Sequence, residues 1–456
     1  MDKATIAALA GAGMNVARIN FSHGSHEEIR NMIASVREVS AETGEPIAIL
    51  GDLAGPKIRV GELEGNAVTL DEGAELTVTT REVTGTADIV STTYPNLVSD
   101  VNKGDRILID DGRLELVVEQ VRPEEVKTRV IIGGELKPHK GMNLPGVNVS
   151  APAISTKDFR DIEFAAREGF DLLALSFVRT PGDVDKAKKL IENYNSDIPV
   201  IAKIEKEEAV DAFDAILSRT DGIMIARGDL GVELASELVP LIQKRLIKAC
   251  NKAGKPVITA TQMLESMIVN PRATRAETSD VANAVFDGSD AVMLSGETAV
   301  GKYPVKAVET MKCIIDSVER EIGKGRSMVD SLPEETNIED AVTAAACRAA
   351  ELLNAKAVVA YTQSGSTAMR LSKYRPRTRI LALTPFEAIR RRMAVYWGIR
   401  SVLVEEVLDT EEMVDTAEKI AIQAGLARRG DIIVITSGTP IGVPGTTNLV
   451  NVHEIK

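Results

Sequence analysis

Between Asn15 and Ser295, short apolar runs alternate with longer helical patterns, and this alternation restricts the chain to few folds. The runs are rich in β-branched residues and apolar on both faces, which is typical of strands in a parallel sheet covered on both sides. The pattern predicts an α/β barrel of the (β/α)8 TIM type, with an open doubly wound sheet as the weaker alternative. The predicted strands are Val16–Phe21, Ile47–Leu50, Leu172–Ser176, Val200–Ile204, Gly222–Ala226, Val257–Thr261 and Ala291–Ser295.

These strands number seven, so the first strand of an eight-stranded barrel is apparently missing. A helix is predicted over Asp2–Ala12, and the strand expected before it would lie upstream. We favour a start assigned late over a true loss of the strand. If Met1 is the true start, unpaired strand edges predict a poor soluble yield that an upstream extension should recover.

Two segments depart from the barrel pattern and predict further domains. From about Arg59 to Pro152, strand-like segments and turn signals occur without a convincing helix, which predicts a small all-β lid domain inserted beside the barrel mouth. After a polar stretch from Ser331 to Asn337, a new α/β series predicts a third domain with strands near Ala357–Tyr361, Ile380–Leu383, Val402–Val404, Ile432–Thr436 and Leu449–Val452. The predicted domains are residues 1–58 with 153–328, residues 59–152 and residues 329–456.

Composition excludes several classes of partner. The chain has 54 Lys and Arg against 67 Asp and Glu, a formal net charge of −13, so a nucleic-acid partner is not expected. No apolar run approaches the roughly 18 residues of a membrane span. Cys250, Cys313 and Cys347 lie in helix-like apolar patterns, which favours buried reduced thiols and a cytoplasmic location over disulfides or zinc ligation.

Polar residues follow the predicted strands at their carboxyl ends, where the active sites of α/β barrels lie. Glu205 and Asp229 end neighbouring strands, so they are candidate ligands of one Mg²⁺ ion; the alternative is that each merely pairs with Lys203 or Arg227. Lys203 would place positive charge where a phosphoryl group or an enolate develops negative charge. The rim as a whole fits an anionic substrate beside a divalent cation, and it comprises Arg18, Asn20, Ser22, Asp52, Ser176, Lys203, Glu205, Arg227, Asp229, Thr261, Ser295 and Glu297.

Two glycine-rich segments are candidate phosphate sites. Arg227–Gly231 can present backbone N–H groups at a helix start to a carboxylate or phosphate, although alone it is a weak signal. Gly296–Tyr303 nearly matches a Walker A loop, but Tyr303 stands where a Ser or Thr would hold Mg²⁺ and Pro304 follows. We interpret this second match as coincidental, so a nucleotide is expected to bind by another route.

Several long motifs resemble the pyruvate kinase family and occur in its order: Met14–Gly24, Gly55–Arg59, Lys203–Glu205, Ala226–Gly231, Ala260–Met267, Asn270–Glu277 and Ser279–Pro304. The resemblance covers nearly the whole chain, and the lid and C-terminal domains match in placement more than in residues. It implies Mg²⁺- or Mn²⁺-dependent phosphoryl transfer from phosphoenolpyruvate to ADP, giving pyruvate and ATP in the final step of glycolysis. It also implies a lid that excludes water and a homotetramer.

The resemblance assigns roles to individual residues. Glu205 and Asp229 would hold Mg²⁺, and Lys203 would stabilise the transferring phosphoryl group and the enolate. Backbone amides near Gly228 and Asp229, with Thr261, would hold the substrate carboxylate, and Thr261 is implicated in proton delivery. The remaining assignments are phosphate binding by Arg18 and Arg59, a substrate contact at Ser295, and nucleotide binding by Asn20, His23 and Arg59.

Two departures from the family pattern carry predictions. Many members have Glu where this chain has Lys57 and use K⁺ held at positions matching Asn20, Ser22, Asp52 and Leu53, the last usually Thr. A tethered ammonium would make bound K⁺ redundant, so K⁺-independent activity is expected unless Lys57 points outward. The first family strand ends in a Thr-Ile-Gly-Pro stretch beside the nucleotide, and its absence here puts the nucleotide contacts in doubt.

Two other functions and one regulatory site stay open. A barrel lyase or aldolase working through a Mg²⁺-bound enolate could use the same carboxylates, and dependence of pyruvate formation on ADP would separate it. A non-catalytic metabolite-binding protein is the other alternative.

The loop Thr362–Thr367 could hold an effector phosphate, as it can in the family, or simply cap its helix through Ser366. Gly438–Thr447 has no basic residue, which disfavours fructose bisphosphate and leaves a monophosphate such as AMP possible.

Overall fold

The computed structural model describes residues 2–322, 337–440 and 446–456, which form a barrel, a lid and a C-terminal domain. The boundary predicted between residues 328 and 329 lies outside the described residues, as do most of the polar stretch from Ser331 to Asn337 and half of the loop from Gly438 to Thr447. No helix in the described ranges combines the length and apolar character that crossing a bilayer requires.

The first barrel elements begin where capping residues stand. The Asp2 carboxylate accepts a hydrogen bond from the Thr5 N–H at 2.7 Å, and Ser25 forms a capping box with Glu28. The strands Val16–Asn20 and Ala48–Asp52 pair in parallel, which places Asn20 opposite Asp52 at the same sheet edge. These elements are α1 (Lys3–Ala12), β1 (Val16–Asn20), α2 (His26–Thr43) and β2 (Ala48–Asp52).

The lid is inserted after β2 and has its own apolar core. Its main sheet runs in the order β10-β6-β7-β8-β4-β5, and β3 pairs with β9. No convincing helix was expected in the insertion, but Leu97–Asp100 forms a helix of one turn. A helix of four residues is too short to show a helical period in the sequence. The elements are β3 (Val68–Leu70), β4 (Glu75–Thr79), β5 (Ile89–Ser91), α3 (Leu97–Asp100), β6 (Arg106–Ile109), β7 (Leu114–Arg122), β8 (Glu125–Ile132), β9 (Gly134–Leu136) and β10 (Met142–Asn143).

The chain then returns to the barrel, and the seven predicted strands form one parallel sheet in sequence order, from β1 to β15. Gly254 follows α9 in a left-handed conformation, which glycine adopts without strain. The returning elements are α4 (Thr156–Glu168), β11 (Leu172–Leu175), α5 (Pro181–Asn193), β12 (Val200–Ile204), α6 (Glu207–Asp211), α7 (Phe213–Arg219), β13 (Gly222–Ala226), α8 (Arg227–Glu233), α9 (Val239–Ala253), β14 (Val257–Ala260), α10 (Arg275–Asp287), β15 (Ala291–Val292), α11 (Gly296–Ala299) and α12 (Pro304–Ile322).

Three local expectations need correction. Strand β14 stops at Ala260 because Thr261 has φ +67°, a left-handed value that strands do not adopt. Strand β15 ends at Val292, three residues earlier than predicted. Cys250 and Cys347 are buried as expected, but Cys313 is exposed on α12.

The C-terminal domain is a five-stranded sheet in the order β18-β17-β16-β19-β20, parallel except for β20. Ser366 does not cap its helix; it begins the helix, and Gly365 before it takes the left-handed conformation of the cap. The elements are α13 (Ile338–Leu352), β16 (Ala357–Tyr361), α14 (Ser366–Lys373), β17 (Arg379–Thr384), α15 (Glu387–Arg392), β18 (Ile399–Leu403), α16 (Thr410–Gln423), β19 (Ile432–Gly438) and β20 (Thr447–Glu454).

Candidate active site

A charged network joins the carboxyl ends of four neighbouring barrel strands. The Lys203 Nζ lies 2.7 Å from Glu205 Oε1 and 3.3 Å from Asp52 Oδ1, and it donates a hydrogen bond to Ser176 Oγ at 2.7 Å. Asp52 also accepts a hydrogen bond from Arg18 Nε at 2.7 Å. Parallel register places these residues at one edge, so five side chains from β1, β2, β11 and β12 meet at the barrel mouth.

The network fixes the charge of its central lysine. Burial alone would lower the pKa of Lys203, but the carboxylates of Asp52 and Glu205 overcome it and hold that pKa well above its ordinary value. Burial likewise acts to raise the pKa of Asp52, and the cations of Lys203 and Arg18 hold it below its usual range instead. The site therefore presents a fixed ammonium at neutral pH.

Glu205 and Asp229 form the second half of the site. The Glu205 Oε2 accepts a hydrogen bond from the Phe177 N–H at 2.8 Å, where Phe177 has φ +54°. Burial, and then the charge of Glu205, raise the pKa of Asp229 to about 6. A buried carboxylate and a half-buried one that repel each other fit a divalent cation. No cluster of three or more His, Cys, Asp or Glu ligands occurs in the described ranges, so substrate oxygens and water would complete the coordination, as Mg²⁺ prefers.

Thr261 and the first residues of α8 form a second polar group of residues beside the charged network. The Gly228 N–H donates a hydrogen bond to Thr261 Oγ1 at 2.8 Å, which joins the ends of β13 and β14. The left-handed backbone at Thr261 is costly for a β-branched residue, and such conformations concentrate at functional sites. Arg227 does not face the mouth; its guanidinium contacts Asp280 at 2.7 Å and the Thr261 carbonyl at 2.7 Å, so it supports the loop from behind.

Lys57 and Arg59 lie where the chain crosses into the lid. Lys57 is exposed and lines the cleft between barrel and lid together with Asp229. Its side chain packs against Gly141 of the lid, where an added Cβ would lie 3.3 Å from the Lys57 Cε. The Arg59 guanidinium donates a hydrogen bond to the His139 carbonyl at 2.9 Å. Lys57 therefore reaches the cleft from the lid side, whereas the Arg59 guanidinium is held by the lid backbone.

The structure places the remaining predicted residues less centrally. The Asn20 side chain accepts a hydrogen bond from the Ser22 N–H at 2.9 Å, and His23 is exposed in the same turn. Leu53 is buried, and its carbonyl accepts a hydrogen bond from Ser176. The Ser295 N–H donates a hydrogen bond to Glu297 Oε2 at 2.7 Å, and among the described residues its loop has no hydrogen bond to the Lys203 network.

Four polar residues at the junction of lid and barrel were not predicted from the sequence. Lys206 forms a buried ion pair with Glu233, and Asn143 donates a hydrogen bond to the same carboxylate at 3.1 Å. The Arg179 guanidinium donates to the carbonyls of Val149 and Ala151, where the chain returns from the lid. One signal was available for Glu233: it stands four residues after Asp229, one helical turn away.

A parallel barrel with a charged mouth, an inserted lid and a separate α/β domain defines a barrel enzyme that acts on an anionic substrate. Residues 1–308 match the family model of the pyruvate kinase barrel domain, and residues 340–453 match that of the pyruvate kinase alpha/beta domain. The chain therefore belongs to the pyruvate kinase family and is a phosphotransferase.

Similar proteins agree with this assignment. A pyruvate kinase from Geobacillus stearothermophilus is 50% identical over 452 residues, covering 98% of this chain and 77% of the relative. One from Staphylococcus epidermidis is 47% identical over 450 residues with the same coverage of both chains. The crystal structure of a pyruvate kinase from Cryptosporidium parvum is 36% identical, with a TM-score of 0.93 over all of this chain and 94% of the other.

Proposed function

We propose that this chain transfers a phosphoryl group from phosphoenolpyruvate to ADP with Mg²⁺ and without K⁺. The observation that carries the proposal is the Lys203 ammonium, held 2.7 Å from Glu205 beside Asp52 at the end of β12. A fixed cation in a buried site stabilises charge that develops on a phosphoryl oxygen or an enolate without reorganising during the reaction. Its largely buried position at the barrel mouth is that of a group acting on a bound anion.

Each side of the site has a separate task in this proposal. Glu205 and Asp229 would hold Mg²⁺, which when bound supplies positive charge to the phosphate oxygens. The backbone amides at Gly228 and Asp229, with Thr261, bind the substrate carboxylate at the start of α8. Thr261 takes part in delivering the proton to the enolate.

The other substrate contacts come from the rim and the lid. Arg18 and Arg59 bind phosphate oxygens, Ser295 contacts the substrate, and Asn20, His23 and Arg59 contact the nucleotide. Lid closure excludes the water that competes with ADP for the phosphoryl group.

Lys57 replaces a monovalent cation in this proposal. Its ammonium lines the cleft beside Asp229, and its charge acts to lower the pKa of that carboxyl. The side chain of Leu53 adds no oxygen to a K⁺ site that Asn20, Ser22 and Asp52 would otherwise share. An ammonium tethered within electrostatic reach of the site and a missing ligand both favour activity without K⁺.

Assembly, location and regulation are proposed at a coarser level. A homotetramer is supported by the edge strand β20, where Val450 and Val452 are 37% and 50% exposed. A cytoplasmic location is supported by three free cysteines. The loop Thr362–Thr367 lines a cavity with Glu405 and Glu406, which disfavours a bisphosphate and leaves a monophosphate effector as the proposal.

The test is an assay of pyruvate and ATP formation from phosphoenolpyruvate, Mg²⁺ and ADP. Equal amounts of the two products, dependent on ADP, support the transferase. Pyruvate without ADP dependence would favour a lyase or hydrolase, and substrate binding without turnover would favour a binding protein. Removal of Mg²⁺ with a chelator should abolish turnover, and re-addition should restore it.

A further inference from the structure

The Glu233 carboxylate lies beneath the lid and binds two partners at once. Its Oε1 pairs with Lys206 Nζ and accepts a hydrogen bond from Asn143 Nδ2 at 3.1 Å. The side chains of Glu233 and Lys206 are only 2% and 11% exposed. A buried carboxylate requires compensation by a cation and hydrogen bonds, and Lys206 and Asn143 supply both to Glu233.

The ion pair connects the two elements that carry the carboxylates proposed for Mg²⁺. Lys206 directly follows Glu205 after β12, and Glu233 lies one turn beyond Asp229 on α8. Because these residues are covalently close to the metal carboxylates, the pair limits how far Glu205 and Asp229 can move apart. Asn143 and Lys206 also line the cleft beside Asp229, and the ion pair acts on the two carboxylates through their neighbours in the chain.

Asn143 adds the lid to this connection. It is the last residue of β10, which pairs with β6 in the main lid sheet. Within the described ranges, no other side chain of residues 59–152 donates a hydrogen bond to a barrel side chain. A displacement of the lid would therefore break a contact to the same carboxylate that spaces the two metal-binding elements.

We propose that Asn143, Glu233 and Lys206 are positioning residues that couple lid placement to the spacing of Glu205 and Asp229. The inference rests on the proposed phosphoryl transfer and adds to it a route by which the lid adjusts the metal site. The hydrogen bond from Asn143 to Glu233 depends on where the lid lies. The Lys206–Glu233 ion pair in turn holds the elements that carry Glu205 and Asp229 at a fixed spacing.

The test exchanges the amide and the carboxylate between residues 143 and 233. Asn143→Ala should lower kcat/KM for ADP by about tenfold, because a hydrogen bond to a charged group is lost. Its affinity for Mn²⁺ without substrate should stay unchanged, since the ion pair remains.

Asn143→Asp should lower kcat/KM further by placing a second carboxylate beside Glu233. The double variant Asn143→Asp with Glu233→Gln retains one carboxylate, one amide and one ammonium, and should recover to within about threefold of the native chain.

Asn102, an exposed lid residue, provides matched controls as Asn102→Ala and Asn102→Asp. If the Asn143 variants match these controls in kcat/KM, or if the double variant is no better than Asn143→Asp, the coupling is refuted. Amide hydrogen exchange of α8 separates this failure from failure of the proposed function. Faster exchange in Asn143→Asp, reversed in the double variant, supports the coupling even in a chain that makes no pyruvate; unchanged exchange refutes it.

Discussion

Lys203 and Glu205 project to the same side of the chain at the end of β12, and their charged groups meet at 2.7 Å. Residues two apart on a strand share a face, so the pair is set by local geometry. The lysine that would stabilise the transition state is thus held by a carboxylate that would bind the metal. Changing either residue alters the environment of the other.

Lys203→Met is expected to lower kcat about 100- to 1,000-fold, because the fixed cation is lost while side-chain length is kept. The measurement is steady-state pyruvate formation, with circular dichroism to confirm folding. Lys189→Met changes an exposed lysine on α5 and should leave kcat unchanged. A folded Lys203→Met variant with native kcat would remove Lys203 from the mechanism.

Metal affinity is expected to fall as the pH drops below about 6. The pKa of Asp229 is raised to about 6 by burial and by Glu205, so below that value the carboxyl is increasingly protonated and a proton must leave before a metal binds. The dissociation constant of Mn²⁺, measured by electron paramagnetic resonance without substrate, should rise about tenfold per pH unit there. In Asp229→Asn this pH dependence should disappear, and its persistence would assign it to another group.

Without K⁺, the native chain is expected to retain more than a tenth of the rate measured with K⁺, because Lys57 supplies a tethered charge. Lys57→Met should lose most of its K⁺-free activity. Lys103→Met removes an exposed lid lysine and serves as the control. A native rate without K⁺ that is below a tenth of the supplemented rate would contradict the role of Lys57.

Arg375→Met is expected to destabilise the chain by about 3–5 kcal/mol, because it leaves a buried charge uncompensated. Arg375 lies 3.4 Å from Asp290 of the barrel, with the two side chains 8% and 9% exposed, and its guanidinium is 5.1 Å from the Trp397 ring centroid. Urea unfolding measures the change. Arg377→Met removes an exposed arginine nearby and should cost less than about 0.5 kcal/mol. Equal losses in the two variants would show that the pair contributes nothing.

The strand pattern and most of the rim were predictable from sequence. Short runs that are apolar on both faces are typical of covered strands, so the strand positions could be predicted from the sequence pattern. Lys203, Glu205 and Asp229 were predicted to lie near one another because strand ends converge in a parallel barrel. Strand ends were predicted less well: Thr261 looked like part of β14, and only its left-handed backbone ends the strand there.

Contacts between distant segments depended on the fold. Asn143 and Glu233 are 90 residues apart, and Asp290 and Arg375 are 85 apart, so nothing in the local pattern pairs them. Arg227 was expected at the mouth but faces Asp280, because an arginine side chain has several rotamers and packing selects one.

The sequence by itself determined which segments are strands and which polar residues stand at their ends, because burial on both faces is a periodic and local property. Only the tertiary structure decided how the lid contacts the barrel, which cation neutralises which buried carboxylate, and where the backbone takes a left-handed turn. Those choices depend on groups brought together by the closed packing of the whole chain, where the cost of an unpaired buried charge selects each partner.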